Sequence, residues 1–86
     1  MSQLDKLIQK IKEKPTPKDF LWSDFVRILN NAGYVKKNGS GSRRKFYKTD
    51  CKEAIPIMIH EPHPQKTIKP RALADAVQAL KDNGDI

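Results

Sequence analysis

The chain has 86 residues, a mass of 9.8 kDa and one cysteine, Cys51. This length predicts one small domain, and a single cysteine excludes an intrachain disulfide bond. No apolar run approaches the ~20 residues that a membrane-spanning helix needs, and the polar N-terminal segment lacks the apolar stretch of a signal peptide. Because apolar residues make up 37% and charged residues 31% of the chain, we expect a folded cytoplasmic domain and not a disordered or membrane-embedded protein.

The net charge of +7 is concentrated in one segment of the chain. Residues 36–48 contain six basic residues and no acidic residue, whereas the rest of the chain holds eleven basic and ten acidic residues. A cationic segment on a nearly neutral body indicates a polyanionic partner, with nucleic acid as the first candidate and an acidic protein as the second. The alternative is a solvated basic loop that serves only solubility.

The first segment with helical spacing has the apolar residues Leu4, Leu7, Ile8 and Ile11. Ser2 is its candidate N-cap, and Pro15 and Pro17 end the helix. Residues 15–20 are interpreted as a short connector. We therefore divide the chain into an N-terminal helix and linker, residues 1–20, and a main domain, residues 21–86.

Two more helices are predicted within the main domain. One carries a broad apolar stripe from Trp22 to Ala32, with Ser23 as the candidate N-cap and Gly33 as the left-handed residue that ends it. The other begins at Pro70, which suits the first helical position, and ends at Asn83-Gly84. The second of the three helices is expected to be better buried than the first.

Three strands are predicted between these two helices, over Tyr34–Lys37, Arg43–Thr49 and Ala54–Ile59. In the third strand, Ile55, Ile57 and Ile59 alternate and are expected to share one face. Pro56 lacks a ladder donor, so this strand is an edge strand or becomes regular only at Pro56. The order α–α–β–β–β–α predicts an α+β fold, a three-stranded antiparallel sheet with helices on one face.

The basic turn between the first two strands is the first candidate binding site. Glycine lets backbone amides approach a phosphate, serine adds a hydroxyl donor, and arginine pairs two phosphate oxygens with its planar fork. The segment is not a P-loop, because the GxxxxGK[ST] spacing is absent, and Asn38-Gly39 also suits a plain hairpin turn. The residues predicted to bind RNA phosphates here are Lys36, Lys37, Ser42, Arg43, Arg44 and Lys45.

The histidine pair His60 and His63 is the candidate catalytic site. One imidazole could take a proton from a ribose 2′-hydroxyl and the other could protonate the leaving 5′-oxygen. Arg43, Arg44 or Lys66 could stabilise the charge that builds on phosphorus. The alternative is that both histidines simply bracket a rigid proline-rich turn.

We predict no metal and no other cofactor at these histidines. Cys51, His60, Glu61 and His63 offer zinc ligands, but the H-E-x-x-H helical spacing is absent and Pro62 breaks a helix there. Cys51 has only Lys52 as a cationic sequence neighbour, so we expect an inert thiol.

An aromatic residue among the cations is a candidate base platform. Phe46 and Tyr47 are adjacent in a strand and must face opposite ways. Tyr47 could stack on an unpaired RNA base, or it could only cover the sheet.

The run from Trp22 to Gly84 resembles the HicA-type toxins of bacterial toxin–antitoxin pairs. The resemblance is carried by the segment Phe25–Tyr34, by Gly41-Ser42 at the start of a basic strand, by the apolar third strand, by the Pro62-His63 turn and by the helix from Pro70. It implies an α-β-β-β-α core similar to the double-stranded-RNA-binding domain, with residues 1–20 as an added helix. It also implies cleavage of mRNA without a metal, and neutralisation by a HicB-like antitoxin that covers the active face.

One position departs from the pattern that the resemblance implies. The usual Gly-Ser-His of the family is here Gly41-Ser42-Arg43, and arginine stays protonated and cannot act as a general base. Similar members combine Gly-Ser-Arg with a His-x-Pro-His-Pro turn, which this chain has at residues 60–64. Either the acid–base role lies with His60 or His63, or the chain binds RNA without cutting it. A protein whose basic face binds an acidic partner is the third hypothesis.

Overall fold

Three helices and three strands follow one another in the predicted order, in a computed structural model that describes residues 3–50, 53–62 and 66–86. The helices are α1 (Gln3–Ile11), α2 (Trp22–Asn31) and α3 (Pro70–Asp82), and the strands are β1 (Tyr34–Asn38), β2 (Arg43–Lys48) and β3 (Ile57–His60). The predicted α+β fold, with its added N-terminal helix, is confirmed. The N-cap predicted at Ser2 lies outside the described residues. None of the helices described here combines the length and the apolar content that a membrane span requires.

The sheet is an antiparallel meander with β2 in the centre. Cross-strand partners lie on the same face of a sheet, so the register sorts the side chains of all three strands. One face is buried under the helices and carries Tyr34, Phe46, Ile57 and Ile59. The opposite face, which we call the open face, carries Val35, Lys37, Arg43, Lys45, Tyr47, Met58 and His60.

An aromatic cluster fills the space between α2 and the sheet. The rings of Phe25 and Phe46 meet edge to face at 5.8 Å, and Trp22 lies 5.7 Å from the first ring and 5.9 Å from the second. Edge-to-face and tilted aromatic pairs at these distances add to the hydrophobic stabilisation of burial. This packing orients the buried face of β2 and thereby turns Arg43, Lys45 and Tyr47 outward.

The N-terminal segment contributes to the same core as the rest of the chain. Ile11 of α1 is buried, and Leu4, Leu7 and Ile8 pack against the core from the same helix. Phe20, which the sequence analysis placed in a connector, is 1% exposed. Its carbonyl accepts the Ile68 N–H at 2.9 Å, so the end of the predicted connector is built into the fold.

The start of α2 differs from the prediction. Leu21 and not Ser23 is the N-cap residue, and it provides no side-chain cap. The reason is tertiary: the Trp22 N–H donates to the Lys66 carbonyl at 2.9 Å, and Leu21 forms a β-bridge with Thr67. The predicted ends are confirmed at Gly33, with φ +97°, and at Gly84, with φ +79°.

The third strand is shorter than predicted, and the prediction that Ile55 shares a face with Ile57 and Ile59 was wrong. The prediction that this is an edge strand, regular only from Pro56 onward, agrees with the structure. Ile55 is 47% exposed and precedes β3, which begins after Pro56. Proline supplies no N–H to a ladder. Both backbone groups of Ile55 instead bond the Asn83 side chain, its N–H to Oδ1 at 2.8 Å and its carbonyl to Nδ2 at 3.0 Å.

Candidate functional site

The basic side chains of the open face are brought together by the strand register. Lys37 and Lys45 are cross-strand partners, as are Lys45 and Met58, and Arg43 and His60. Side chains of directly opposed residues have Cβ atoms roughly 4.5–5.5 Å apart. Three cations and an imidazole therefore share one end of the open face, in two neighbouring rows.

His60 lies directly beside Arg43. The Glu61 N–H donates to the Ser42 carbonyl at 2.8 Å, which makes this flanking pair hydrogen-bonded and the Arg43–His60 pair non-hydrogen-bonded. In that type of antiparallel pair the Cα atoms approach to about 4.5 Å and the side chains lie closest. Both residues are exposed, so a ligand on the open face can reach both at once.

The imidazole of His60 contacts the side chain of the residue that precedes β2. Ser42 Oγ lies 3.1 Å from His60 Nδ1. The hydroxyl can accept from a protonated Nδ1 or donate to a bare one, and the tautomer of the ring follows from that choice. When Nδ1 donates, Nε2 has a free lone pair and can take a proton.

Arg44 has surroundings unlike those of its neighbour Arg43. It lies on the buried side of the sheet, opposite Ile59, and its side chain is 18% exposed. Its Nε donates to Glu61 Oε1 at 3.0 Å, and its Nη1 donates to the carbonyls of Gly41 and Arg43 at 3.0 and 2.8 Å. The two arginines predicted to bind phosphate are therefore in different places, and only Arg43 stands on the open face.

The remaining residues predicted for the site lie outside the Arg43–His60 row. Lys36 is exposed but falls on the side of β1 that faces the helices, and Tyr47 is half-buried on the open face opposite Val35. Lys66 is exposed in the segment that pairs with the start of α2. His63 lies outside the described residues, as does Cys51, and the catalytic role of His63 stays a prediction.

Two shallow depressions meet at His60. The first, of about 390 Å³, lies over the hairpin end of the sheet. Its lining comes from all three strands and the turn, namely Lys37, Asn38, Gly39, Ser40, Arg43, Arg44, Lys45, Met58, Ile59 and His60. The second, of about 460 Å³, runs from β3 toward α3 and shares Met58, Ile59 and His60 with the first. An extended ligand could therefore pass His60 along either depression.

Met58 is a site residue that the sequence analysis missed. It is 74% exposed and stands beside Lys45 on the open face. The sequence indicated the outward orientation of Met58, because this residue alternates with Ile57 and Ile59 and must face away from them. An exposed methionine next to cations offers an adaptable apolar surface.

Metal-ligating groups do not cluster in the described part of the chain. Across residues 3–50, 53–62 and 66–86, no three histidine, cysteine, aspartate or glutamate side chains are grouped so that they could hold an ion.

Comparison with known families places this arrangement in context. The family model of the HicA toxin of bacterial toxin–antitoxin systems matches residues 22–84. The chain belongs to the HicA toxin family. No curated protein and no solved structure matches it.

The HicA match contains the whole of the site just described. It spans α2, the three strands and α3, and therefore includes Ser42, Arg43 and His60, while α1 lies outside it. Membership of a toxin–antitoxin family implies an antitoxin as the partner of this HicA chain.

Proposed function

We propose that this HicA chain binds mRNA on the open face of its sheet, cleaves it without a metal, and is neutralised by a HicB-like antitoxin that covers the same face. One observation above all supports this proposal. Arg43 and His60 lie side by side on neighbouring strands, and the Ser42 hydroxyl contacts Nδ1 of the imidazole. This arrangement combines a proton acceptor, a fixed positive charge and an orienting hydroxyl at one exposed end of the sheet.

His60 acts as the general base in the proposed reaction. With its Nδ1–H donating to Ser42 Oγ, Nε2 removes the proton of a ribose 2′-hydroxyl. The resulting oxygen attacks the adjacent phosphorus, the bond from phosphorus to the 5′-oxygen breaks, and the products are a 2′,3′-cyclic phosphate and a 5′-hydroxyl. The leaving 5′-oxygen takes its proton from a general acid, for which His63 is the candidate. General acid–base catalysis of this kind contributes about 10²–10⁴-fold to a rate.

Arg43 supplies the charge that the reaction needs. The oxygens on phosphorus become more negative as the new bond forms, and a fixed cation beside them stabilises that charge. Arginine is suited to this role because it stays protonated and can pair two oxygens at once. Lys45 and Lys37 extend the positive surface along the neighbouring row.

The open face fits a single RNA strand. Tyr47 and Met58 offer an aromatic ring and an apolar surface near the cations, and unpaired bases stack on such groups. Successive residues on one face of a strand are ~6.6 Å apart, so the cations of β2 can follow a phosphate backbone. The second candidate function, RNA binding without cleavage, is favoured by this same cationic row.

Cleavage is tested with purified chain and an end-labelled RNA. We expect His60→Ala to lower kcat by about 10²–10⁴-fold, with little change in melting temperature because His60 is exposed. Gln78→Ala, an exposed position on α3, is the control and should cut like the wild type. We also expect activity to persist in EDTA, and products that end in a 2′,3′-cyclic phosphate.

Other outcomes of the same assay separate the alternatives. Equal cutting by wild type and His60→Ala would remove His60 from the mechanism. RNA binding by a wild-type chain that does not cut would support the non-catalytic module. A loss of activity in EDTA that Mg²⁺ restores would contradict metal-free cleavage.

Binding is tested through its salt dependence. Each phosphate contact on a single strand contributes about 0.7 to the slope of log K against log salt. We expect Arg43→Ala and Lys45→Ala each to reduce the slope by about that amount, whereas Lys6→Ala on α1 leaves it unchanged. Unaltered RNA affinity in an Arg43→Glu/Lys45→Glu variant would show that RNA does not bind this face. If the same variant lost its binding to a HicB-like protein, that result would favour a protein partner for the face.

A further inference from the structure

We propose that the ion pair of Arg44 and Glu61 is a positioning device that holds the Gly41-Ser42-Arg43 segment against His60. Its effect on cleavage rests on the function proposed above, but its structural part can be tested without that function. Arg44 is thus a positioning residue and not a phosphate ligand.

The two residues of the pair bind three consecutive backbone carbonyls, Arg44 through its side chain and Glu61 through its backbone N–H. Arg44 Nη1 donates to the carbonyl of Gly41 at 3.0 Å and to that of Arg43 at 2.8 Å. The carbonyl between them, that of Ser42, accepts the backbone N–H of Glu61 at 2.8 Å. The two residues that make these bonds are also paired with each other, because Arg44 Nε lies 3.0 Å from Glu61 Oε1. All three carbonyls of the segment are therefore hydrogen-bonded, two of them by the Arg44 side chain and one by the Glu61 backbone, while the Arg43 carbonyl also accepts the Gly39 N–H at 2.8 Å.

The Arg44–Glu61 pair lies next to the residues that contact the imidazole. Arg44 follows Arg43 on β2 and Glu61 follows His60 at the end of β3, so the pair flanks the Arg43–His60 row from both strands. The Ser42 Oγ–His60 Nδ1 contact of 3.1 Å lies within this frame. A shift of the Ser42 backbone would lengthen that contact, and the imidazole would lose the partner that orients its ring.

The surroundings of Arg44 also argue against a role in binding phosphate. Its side chain is 18% exposed and that of Glu61 35%, whereas the surface pair of Lys10 and Asp19 is 43% and 79% exposed. A partly buried, multiply bonded arginine carries a charge that its carboxylate already balances. Lysine could not replace it, because a single ammonium does not reproduce a fork that reaches a carboxylate and two carbonyls.

Kinetics of Arg44→Lys and Arg44→Gln test the proposal, with Arg27→Lys and Arg27→Gln, at an exposed position of α2, as matched controls that should cut like the wild type. We expect both Arg44 variants to lose about 10²-fold in kcat, the order of cost of a small misplacement, with KM and the salt slope of RNA binding unchanged. A phosphate ligand would behave differently: Arg44→Lys, which keeps the charge, would lose much less kcat than Arg44→Gln, and Arg44→Gln would raise KM and lower the salt slope. Either of those results would overturn the proposal.

A second measurement uses the His60 ring itself and needs no RNA. Nitrogen chemical shifts of the imidazole report which ring nitrogen is protonated and whether it is hydrogen-bonded. We expect the bonded Nδ1 signal of the wild type to disappear in Arg44→Gln, in Glu61→Gln and in Ser42→Ala, and to persist in Lys45→Ala. An unchanged ring signal in folded Arg44→Gln and Glu61→Gln would refute the positioning role. If the wild type proves unable to cut RNA, the proposed function fails, but these spectra still decide whether the pair positions His60.

Discussion

At the residue scale, the centre of the candidate site is an arginine and a histidine that are direct partners on neighbouring strands. The resemblance to HicA toxins implies a histidine at the position of Arg43, and the Cα partner of Arg43 is His60. Directly opposed residues share one face and lie within side-chain reach of each other. An imidazole at either position therefore comes to the same end of the open face, which supports the transfer of the acid–base role to His60.

The two side chains are therefore expected to be exchangeable between Arg43 and His60. His60→Arg alone removes the base and should lower kcat by about 10²–10⁴-fold, whereas Arg43→His/His60→Arg restores both groups to the same row. We expect the double variant to recover cleavage to within about tenfold of wild type in a single-turnover assay, allowing for a residual misplacement. A double variant as inactive as His60→Arg would show that the imidazole works only from β3.

At the element scale, the alternating side chains of β3 place core residues on one face and candidate site residues on the other. Ile57 and Ile59 are 3% and 6% exposed on the buried face, while Met58 between them is 74% exposed on the open face. The outer edge of β3 has no partner strand within the described residues, because β3 is the last strand of the sheet. One short strand therefore carries core residues on one side and the imidazole of His60 on the other.

Neighbouring substitutions in β3 should have opposite consequences. Ile59→Ala removes buried methyl and methylene groups and is expected to lower the free energy of unfolding by about 2–5 kcal/mol. Met58→Ala changes an exposed side chain, so we expect its effect on stability to stay within ~0.5 kcal/mol, with weaker RNA binding. Urea unfolding and RNA titration measure the two effects. Equal destabilisation by both substitutions would contradict the observed facing of the strand.

At the scale of the whole molecule, residues near the C-terminus form hydrogen bonds with the end of the sheet that lies away from the β1–β2 turn and the candidate site. Asp85 accepts the Tyr34 hydroxyl at 2.7 Å through Oδ2 and pairs with Lys48 through Oδ1. The Asn83 amide donates to the Tyr34 hydroxyl at 2.7 Å and also holds the backbone of Ile55. The end of the chain thereby ties β1, β2 and the approach to β3 together.

Loss of the Asp85 charge should therefore destabilise the whole fold. Lys48 and Asp85 have side chains that are 15% and 11% exposed, and hydrogen bonds to charged groups that are shielded from water are worth about 1.5–3 kcal/mol. We expect Asp85→Asn to reduce the free energy of unfolding by that order, measured by denaturant titration. Asp19→Asn, in an exposed ion pair, is the control and should cost no more than about 1 kcal/mol. A similar loss in both variants would mean that the C-terminal contacts do not stabilise the fold.

The sequence alone was sufficient for features that depend on near neighbours along the chain. Helical spacing located α1, α2 and α3, the left-handed positions of Gly33 and Gly84 marked two helix ends, and clustered basic residues located the charged hairpin. Alternation along β2 also separated Phe46 from Tyr47, and the same rule applied to Arg43 and Arg44 would have separated them in advance. These signals are readable because they repeat over a few residues.

Contacts between distant segments decided what the sequence analysis missed. Hydrogen bonds to the backbone of residues 66–68 determine where α2 starts. The Asn83 side chain binds the backbone of Ile55, which therefore does not pair as part of β3. Glu61 pairs with Arg44, and Ser42 meets His60, only because β2 and β3 adopt one particular register. Local propensity carries no information on such partners, because their energy is gained only once the chain has closed the loops between them. The sequence alone thus determined which elements form and where the charge lies, whereas the tertiary structure decided which of those charges face a ligand.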